Sequence, residues 1–243
     1  MGALDGKHIR IRCPSNAGSL YYNYKGYHSI VLMALVDADY KFLWVSCGAN
    51  GFVSDAQLWN QCELKKAIED KQIGFPDAEP LPGDDQDTPY FLVGDDAFAP
   101  KTWMMKPFLR RNMANDERIF NYRLSRARRV TENAFGILAN RFMCLLTTLR
   151  QKPDTVVAMV MACCSLHNIM RLRYKMFQNV MVDQENEDHQ VVPGAWRDDV
   201  QLDDLEALGP GNLATNEAKK QRLYLKQYYN SPVGAVPWQK YMI

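Results

Sequence analysis

The chain has 243 residues, of which 47% are hydrophobic and 23% are charged, and its formal net charge is +1 at pH 7. This length and composition are ordinary for a soluble globular protein and allow a sizeable core without disulfide bonds. Because the net charge is close to zero, overall charge does not indicate which partners the protein binds. The six cysteines form no CxxC pair. This argues against a zinc site or a disulfide framework and favours free, mostly buried thiols in an intracellular protein.

The chain shows no membrane-targeting pattern. Its N-terminus has no apolar signal core. The longest apolar stretch, residues 155–170, is interrupted by Ser165, His167 and Asn168. Because a bilayer span needs about 20 mostly apolar residues, we interpret this stretch as too short and too polar to cross a membrane. We therefore expect no membrane partner.

The predicted elements begin with three strands joined by tight connections. Residues 7–12 alternate in polarity, residues 28–36 are almost continuously apolar, and residues 42–47 form the third strand. An amphipathic helix is predicted over residues 55–70, where Ser54 is a good N-cap. The opening is therefore a β-meander followed by a helix.

The second half of the pattern adds one strand and two helices. Residues 90–93 form a short apolar strand that ends at a Gly-Asp step. Helices are predicted from about residue 125 to 143 and from 156 to 174, and a last helix is predicted over residues 218–229. The order β-β-β-α-β-α predicts an α/β fold with a mixed sheet flanked by helices.

Four acidic residues fall at positions where metal ligands are expected. Asp5, Asp55 and Asp95 lie near the ends of predicted elements, and Glu132 lies inside a helix. Ligands of α/β sheets collect near strand ends, where residues distant in sequence meet. Converging carboxylates are the usual protein ligands of Mg²⁺, and two such ions can cleave a phosphodiester. Each acid also has an ordinary interpretation, as a turn residue, a first-turn helix acid or half of a surface ion pair.

Several ordered motifs resemble one family. They are GALDGKHIRIRCP (2–14), YYNYKGYHSIVLMALVDADYKF (21–42), GFVSDAQLW (51–59), VGDDAF (93–98), FNYRLSRARRVTENAFGILANRF (120–142) and CCSLHNIMR (163–171). Together they resemble the DDE endonuclease domain of the PIF/Harbinger transposases and of the nucleases derived from them. The resemblance implies a ribonuclease H-like fold and a divalent-metal-dependent DNA endonuclease that uses Mg²⁺ or Mn²⁺ in a two-metal mechanism. Two alternatives stay open: a domesticated module that no longer cuts, and a ribonuclease on the same fold.

The resemblance assigns roles to individual acids. Asp5 corresponds to the first catalytic aspartate, Asp95 to the second and Glu132 to the catalytic glutamate. Asp96 would then occupy the variable position after the Gly-Asp step. The interval from Asp95 to Glu132 is 37 positions, close to the spacing of such domains. Asp55 corresponds to another shared acid and is interpreted as a fourth metal ligand or as the alternative to Asp95.

Basic residues concentrate around the predicted glutamate. Residues 101–152 contain twelve Lys or Arg against three Asp or Glu. Cations there would keep the glutamate ionised and attract phosphate without reading sequence. The alternative is a solvated basic helix face. The residues predicted to contact the DNA backbone are Lys7, Lys25, Arg126, Arg128 and Arg129.

A segment of opposite charge follows. Residues 183–206 contain nine acids and one arginine. We predict a DDE endonuclease domain over residues 2–171, an acidic, weakly structured linker over 172–214, and a C-terminal helix and tail over 215–243. A sharper hypothesis is that the acidic segment folds over the basic face and competes with DNA.

Partners and location follow from the resemblance alone. Family members usually carry a longer N-terminal region, often with a helix-turn-helix, whereas this sequence starts almost at Asp5. We therefore expect a fragment or a decayed copy that needs a separate DNA-binding partner protein. A homo-oligomer and a nuclear location, with the cytoplasm as the alternative, are also expected. The His167-Asn168 pair of the last motif is interpreted as packing and hydrogen bonding rather than chemistry.

Overall fold

The structure is a computed structural model that describes residues 2–109, 112–174, 181–198, 201–205 and 214–243; for Asp55 it describes the backbone alone. The strands are β1 (Ala3–Arg10), β2 (Ser29–Val36), β3 (Phe42–Asn50), β4 (Glu79–Pro80), β5 (Asp87–Thr88), β6 (Leu92–Val93), β7 (Met104–Met105), β8 (Gln184–Glu185), β9 (Val191–Val192) and β10 (Asp203–Asp204). The helices are α1 (Asp55–Gln61), α2 (Glu63–Glu69), α3 (Asn115–Arg141), α4 (Pro153–Arg173) and α5 (Asn216–Asn230).

A six-stranded mixed sheet forms the centre of the fold. Its order is β3-β2-β1-β6-β7, and β10 pairs with the remaining part of the β1 edge. The three long strands are antiparallel, whereas β6 and β7 are added in parallel to β1. The prediction of a mixed α/β sheet with flanking helices is confirmed. The short strands β4, β5, β8 and β9 form two small two-stranded sheets outside it.

The central strand β2 is buried along its whole length, as its continuous apolar sequence predicts. Because side chains alternate across a strand, Ile30 and Leu32 face one side and Met33 faces the other. The first side packs against α3 and α4, where Phe135 contributes to the core. The second side packs around the buried Trp59 of α1. Helices and loops therefore cover both faces of the sheet.

Two helices differ from their predicted extents. The predicted helix over residues 55–70 is interrupted at Cys62, which takes an extended conformation. The Cys62 sulfur accepts a hydrogen bond from the Lys65 backbone N–H, so this residue caps α2. Helix α3 begins at Asn115 rather than near residue 125, because Phe120 extends its buried face by more than a turn.

The acidic segment also differs from its predicted state. Its described parts contain β8, β9, a 3₁₀-helix at Ala195–Asp198 and β10. Strand β10 pairs with β1, with Asp204 opposite Lys7 and Asp203 opposite His8. The prediction of a solvated linker rested on composition, which carries no information about ion pairs between residues that are distant in sequence. At the C-terminus, α5 places Leu225 in a core cluster with Phe120 of α3.

Helix α4 is long and apolar enough to cross a membrane by length and composition, so the interpretation of this stretch as too short and too polar was wrong. Its buried residues include Val156, Val160 and Cys164, which pack in the same core cluster as β2. The core helix of a globular fold passes the same test of length and hydropathy. Packing against the sheet therefore accounts for the buried third of this apolar stretch, whereas Met161, Leu166, Ile169 and Leu172 of α4 are exposed.

The His167-Asn168 pair binds α4 to the turn before β3. His167 Nε2 lies 2.8 Å from the Tyr40 carbonyl oxygen, and Asn168 both accepts from and donates to the Phe42 backbone at 2.9 Å. Arg171 donates to the Asp39 carbonyl oxygen one turn later. The packing interpretation of this motif is confirmed. A carbonyl oxygen can only accept, so His167 Nε2 carries a proton, and the lowered pKa of His167 makes the ring neutral at pH 7.

Burial lowers the pKa of His167 to about 4, and burial also lowers the pKa of His8 to about 4. An unfolded histidine titrates near 6.5, so between pH 6.5 and 4 the unfolded chain binds more protons than the folded chain. The contribution of these two neutral histidines to the free energy of unfolding is therefore fully present above pH 6.5 and is lost as the pH is lowered toward 4. His167→Gln keeps an N–H donor and removes one titrating group.

We expect the free energy of unfolding to fall between pH 6 and pH 5 by about 1 kcal/mol more in the wild type than in His167→Gln. Urea denaturation at the two pH values measures this difference. Equal losses in the two proteins would show that His167 is protonated in the folded state.

Candidate active site

Pairing of two strands brings the first two predicted carboxylates together. Strand β6 lies parallel to β1 with Val93 opposite Ala3. Asp5 follows Ala3 on β1 by two residues, and Asp95 follows Val93 by two residues beyond the end of β6. Both side chains line one cavity of about 410 Å³. The structure therefore brings the two aspartates together, with Asp95 beyond the end of β6 as predicted and Asp5 inside β1 rather than at its end.

Gly94 is required by close packing at this strand end. A Cβ atom there would lie 2.6 Å from the Phe98 ring and 3.1 Å from the Met104 sulfur. Its backbone N–H donates to the Met105 carbonyl oxygen at 3.0 Å, which extends the pairing with β7 by one residue. The tight Gly-Asp step leaves Asp95 at the mouth of the cavity, where its Oδ1 accepts from the Ala97 backbone N–H at 2.9 Å.

The third predicted carboxylate comes from α3, which crosses one face of the sheet. Glu132 and Arg128, one turn apart, line the same cavity as Asp5 and Asp95. Phe135 lies on the adjoining face of the helix and packs into the core with β2, which fixes the rotation of α3. Three acids that are distant in sequence therefore share one cavity.

The two aspartates of the cavity are buried among cations. Burial raises the pKa of Asp5, although Lys7, whose Nζ is 3.6 Å from the Asp5 carboxylate, and Arg128 oppose the effect. Burial likewise raises the pKa of Asp95, again opposed by Arg128. The pKa of Lys7 is raised, because Asp5 and Asp204 outweigh the cost of its burial. Lys7 is thus a charged cation that is enclosed in the arrangement described.

Geometry separates Asp95 from its neighbour Asp96. Asp96 does not line the carboxylate cavity; it lines another cavity beside Arg128 and Asn121. Its carbonyl oxygen accepts from Lys106 Nζ at 2.9 Å. Asp95 is therefore the residue of this pair that the fold places with Asp5. The backbone of Asp55 begins α1, but its side chain lies outside the part of the chain that the structure describes.

One arginine of the acidic segment enters the cavity. Arg197 Nη2 lies 3.1 Å from Glu132 Oε2 and 2.6 Å from Asp183 Oδ2, and Arg197 Nε donates to Asp183 Oδ1 at 2.8 Å. The pKa of Asp183 is lowered, because these hydrogen bonds and one from the Gly194 backbone outweigh its burial. Hydrogen bonds to Asp183 and Glu132 raise the pKa of Arg197. A charged guanidinium is thus fixed against the predicted catalytic glutamate.

The segment that carries Arg197 is anchored on α3. Asn133 Oδ1 accepts from the Asp183 backbone N–H at 2.9 Å and from Trp196 Nε1 at 2.8 Å. The Trp196 indole is buried against Gly136, where a Cβ atom would overlap the ring. Gly136 and Asn133 lie on the turn that follows Glu132. The anchoring residues and the predicted glutamate therefore belong to one stretch of α3.

The other predicted DNA contacts are paired with acids. Lys25 Nζ lies 2.8 Å from Asp203 Oδ1, and Arg126 forms an ion pair with Glu185. Arg129 does not line the cavity; its charge helps to lower the pKa of Asp183. Of the five predicted cations, Arg128 and Lys7 are the two that line the carboxylate cavity.

The side chains of the cavity suit a hard divalent cation by their chemistry. Three carboxylates face one space, and burial disfavours the ionised forms of Asp5 and Asp95, which a bound cation would restore. In the arrangement described, no three acidic, histidine or cysteine side chains among the described residues lie close enough to share one ion. Lys7 and Arg197 instead contact two of the carboxylates.

Comparison with models of protein families shows to which family the chain belongs. The family model described as DDE superfamily endonuclease matches residues 4–168. The chain belongs to the DDE superfamily endonuclease family. The match includes every element that lines the carboxylate side of the cavity and ends before the acidic segment. The resemblance drawn from the ordered motifs is confirmed.

Curated relatives support the same relationship. The protein named "Putative nuclease HARBI1" is 28% identical over 172 residues in Xenopus laevis and in Homo sapiens, a match that covers 70% of this chain and 45% of each relative. "Protein ALP1-like" of Arabidopsis thaliana is 26% identical over 175 residues, which cover 70% of this chain and 42% of that protein. The chain thus matches less than half the length of these relatives. No solved structure matches it.

Sequence reasoning missed the contribution of Arg197 to this DDE endonuclease domain. The signal was present in part: Trp196 is a large aromatic residue inside an otherwise polar, acidic segment, and Gly136 lies one turn after Glu132 on α3. An isolated tryptophan in such a segment needs an apolar partner, and a helix glycine offers a flat surface. No local pattern links the two, because they are 60 positions apart.

We predict that Gly136→Ala detaches the anchored segment from α3. Alanine favours helix by up to about 1 kcal/mol over glycine, so any loss must come from displacement of Trp196. Hydrogen–deuterium exchange should become faster at the Asp183 and Gly194 amides, while the amides of α4 keep their protection. Gly74→Ala is the matched control, because a Cβ atom at Gly74 meets nothing within 4 Å. Unchanged exchange in residues 181–198 would contradict the anchoring role of Gly136.

Proposed function

We propose that this DDE endonuclease-type chain is a divalent-metal-dependent DNA endonuclease of the transposase type, built on a ribonuclease H-like sheet. One observation carries the proposal: Asp5, Asp95 and Glu132 line a single cavity although they come from three distant parts of the sequence. Membership of the family and the word nuclease in the names of the relatives support hydrolysis of a phosphodiester as the class of reaction.

The proposed roles follow from the positions of the side chains. Asp5, Asp95 and Glu132 would hold Mg²⁺ or Mn²⁺, with Asp55 as the predicted fourth ligand. Ions of this type, when bound in a pair, supply an activated water and a stabilised leaving oxygen. Arg128 lines the same cavity, and its charge acts on Asp5 and Asp95, so it would attract the scissile phosphate.

The acidic strand β10 is the proposed competitor of DNA. Asp203 and Asp204 pair with Lys25 and Lys7, and Asp203 also contacts Arg10 at 3.3 Å. A phosphate backbone needs the same cations. We therefore propose that DNA must displace β10 before it reaches the carboxylates. Contacts of DNA with Arg126 and Arg129, a separate DNA-binding partner, a homo-oligomer and a nuclear location stay predictions.

We expect the wild type to nick supercoiled plasmid in Mg²⁺ or Mn²⁺, and Asp95→Asn to lose at least about 100-fold in rate. The reason is that replacement of residues that merely support a metal ligand already costs about 10–100-fold. Asp96→Asn is the matched control, since it removes the same charge from the neighbouring residue outside the cavity.

The same assay separates the competing functions. Equal loss in Asp95→Asn and Asp96→Asn would contradict the assignment of the second aspartate. Bound DNA without nicking in either metal would identify a non-cleaving module. Faster cleavage of an RNA–DNA hybrid than of DNA would identify a ribonuclease.

We predict that Asp203→Asn/Asp204→Asn tightens DNA binding about two- to ten-fold at low salt, because exposed ion pairs are each worth about 0–1 kcal/mol. The gain should shrink as salt is raised, since salt screens exposed charges. Glu187→Gln/Asp188→Asn changes the net charge equally at two exposed residues and is the matched control. Equal effects of the two pairs, measured by fluorescence anisotropy, would show that only net charge matters.

A further inference from the structure

A second cavity lies beside β10, away from the carboxylates. Its volume is about 340 Å³, within the range of roughly 300–1,000 Å³ typical of small-molecule pockets. It lies between the connection from β1 to β2, which contributes Tyr22 and Tyr24, and the turn after β3, which contributes Phe52. His8 of β1 also lines it. The carboxylate site does not use these residues.

A hydrogen-bond network fixes the state of His8. The Asn23 side-chain oxygen accepts from the backbone N–H groups of Lys25 and Tyr27, so its Nδ2 is the donor that bonds Ser29 Oγ at 2.9 Å. His8 Nδ1, also at 2.9 Å, is the acceptor that the described residues offer to the Ser29 hydroxyl hydrogen, so we assign this hydrogen bond from Ser29 to Nδ1. The proton of the neutral His8 ring is therefore on Nε2.

The Nε2–H group of His8 is a buried donor whose acceptor is missing from the part of the chain that the structure describes. His8 is 2% exposed, and its Nε2 has no hydrogen-bond partner among the residues that the structure describes. A buried unpaired donor costs about 1–3 kcal/mol, so a ligand that brings an acceptor would gain by satisfying it. Carbonyl and ring-nitrogen acceptors on the edge of a nucleobase are such groups.

Three aromatic side chains of the cavity are exposed to solvent. The exposed fractions are 73% for Phe52, 51% for Tyr24 and 46% for Tyr22. Exposed aromatic rings offer π-faces on which a planar base can stack, a contact that tolerates any base. A planar heterocycle with an acceptor edge matches both the rings and the buried donor better than an aliphatic ligand would.

The position of the cavity connects it with the carboxylate site. His8 is three residues after Asp5 on β1, which corresponds to about 10 Å along the strand, and the two side chains point to opposite faces. The Tyr24 hydroxyl donates to the Asp204 carbonyl oxygen at 3.1 Å, and Asp204 lines the carboxylate cavity. The two cavities therefore lie on opposite faces of β1, and β10 pairs with β1 at the sheet edge beside them.

We propose that this cavity binds one unpaired nucleobase of the DNA substrate, stacked on Phe52 and hydrogen-bonded to His8 Nε2. The proposal rests on the proposed function, because it assumes that DNA reaches the carboxylate cavity. An unpaired base held here would keep the strand across the edge of the sheet, with its backbone directed toward Lys7 and the carboxylates.

The test compares a duplex that carries one unpaired thymine with the same duplex carrying an abasic residue there, by fluorescence anisotropy. We expect the wild type to bind the abasic duplex at least about five-fold more weakly. Phe52→Ala should lose this preference. Tyr241→Ala, which removes an aromatic residue that is 87% exposed and does not line the cavity, should keep it.

Two further measurements address stacking and hydrogen bonding separately. An unpaired 2-aminopurine should lose fluorescence when bound by the wild type and not when bound by Phe52→Ala. Replacing the unpaired thymine by difluorotoluene, which keeps the shape and lacks the acceptors, should weaken binding about two- to ten-fold.

The possible failures are distinguishable. Wild-type protein that binds neither duplex overturns the proposed function and this proposal together. Wild-type protein that binds or nicks DNA without distinguishing the abasic duplex overturns the base-binding cavity alone. Equal affinity for thymine and difluorotoluene overturns the role of His8.

Discussion

The candidate site depends on the parallel pairing of β6 with β1. The register, with Val93 opposite Ala3, sets Asp95 beside Asp5, and a shift of one residue would turn the side chains of β6 to the opposite face. The pairing is short and is held by its surroundings: Leu92 and Val93 are buried, and the closely packed Gly94 continues the hydrogen bonding to β7. Core packing on both faces of the sheet therefore positions two carboxylates that the chain separates by 90 residues.

Burial of these carboxylates explains the charges around them. A buried acid is stable only when it is protonated or close to a cation. Here Lys7 and Arg128 supply positive charge to Asp5 and Asp95, whereas Glu132, whose side chain is 48% exposed, pairs with Arg197. The need for opposite charge makes the cavity suitable for divalent ions and phosphate. A divalent ion would replace the cations next to the carboxylates, and a phosphate would replace the carboxylates next to the cations. The charges of the cavity therefore neutralise one another in the arrangement described. Binding of metal ions and phosphate would replace these ion pairs.

The sequence was most informative where local pattern and position agree. The long strands, the core helices and the Gly-Asp step at the end of β6 could be predicted, because alternation, helical periodicity and strand-end chemistry are local properties. The choice of Asp95 over Asp96 rested on the family resemblance alone, because which of two adjacent acids faces a cavity depends on how Gly94 packs. The sequence also could not reveal Arg197, whose position is set by contacts of Trp196 with a distant helix. Composition alone assigned the acidic segment to solvent, although its acids form ion pairs with strands at the other end of the chain.

The two ends of that acidic segment are held with very different strengths. Residues 181–198 are fixed by a buried tryptophan, a buried aspartate with several charged hydrogen bonds, and two hydrogen bonds to Asn133. Strand β10 has two paired residues and is held by ion pairs of partly exposed acids, with Asp204 70% and Asp203 33% exposed, and by a hydrogen bond from Tyr27 to Asp203. Ion pairs that are open to solvent are worth about 0–1 kcal/mol each. A polyanion that binds several cations at once can outweigh such ion pairs. It does not compete with the apolar contacts that hold the buried Trp196 against α3. Displacement would therefore begin at β10, and because this strand pairs with Lys7 and His8 at the edge of the sheet, its departure would expose the β1 edge next to both cavities while Arg197 stays at the site.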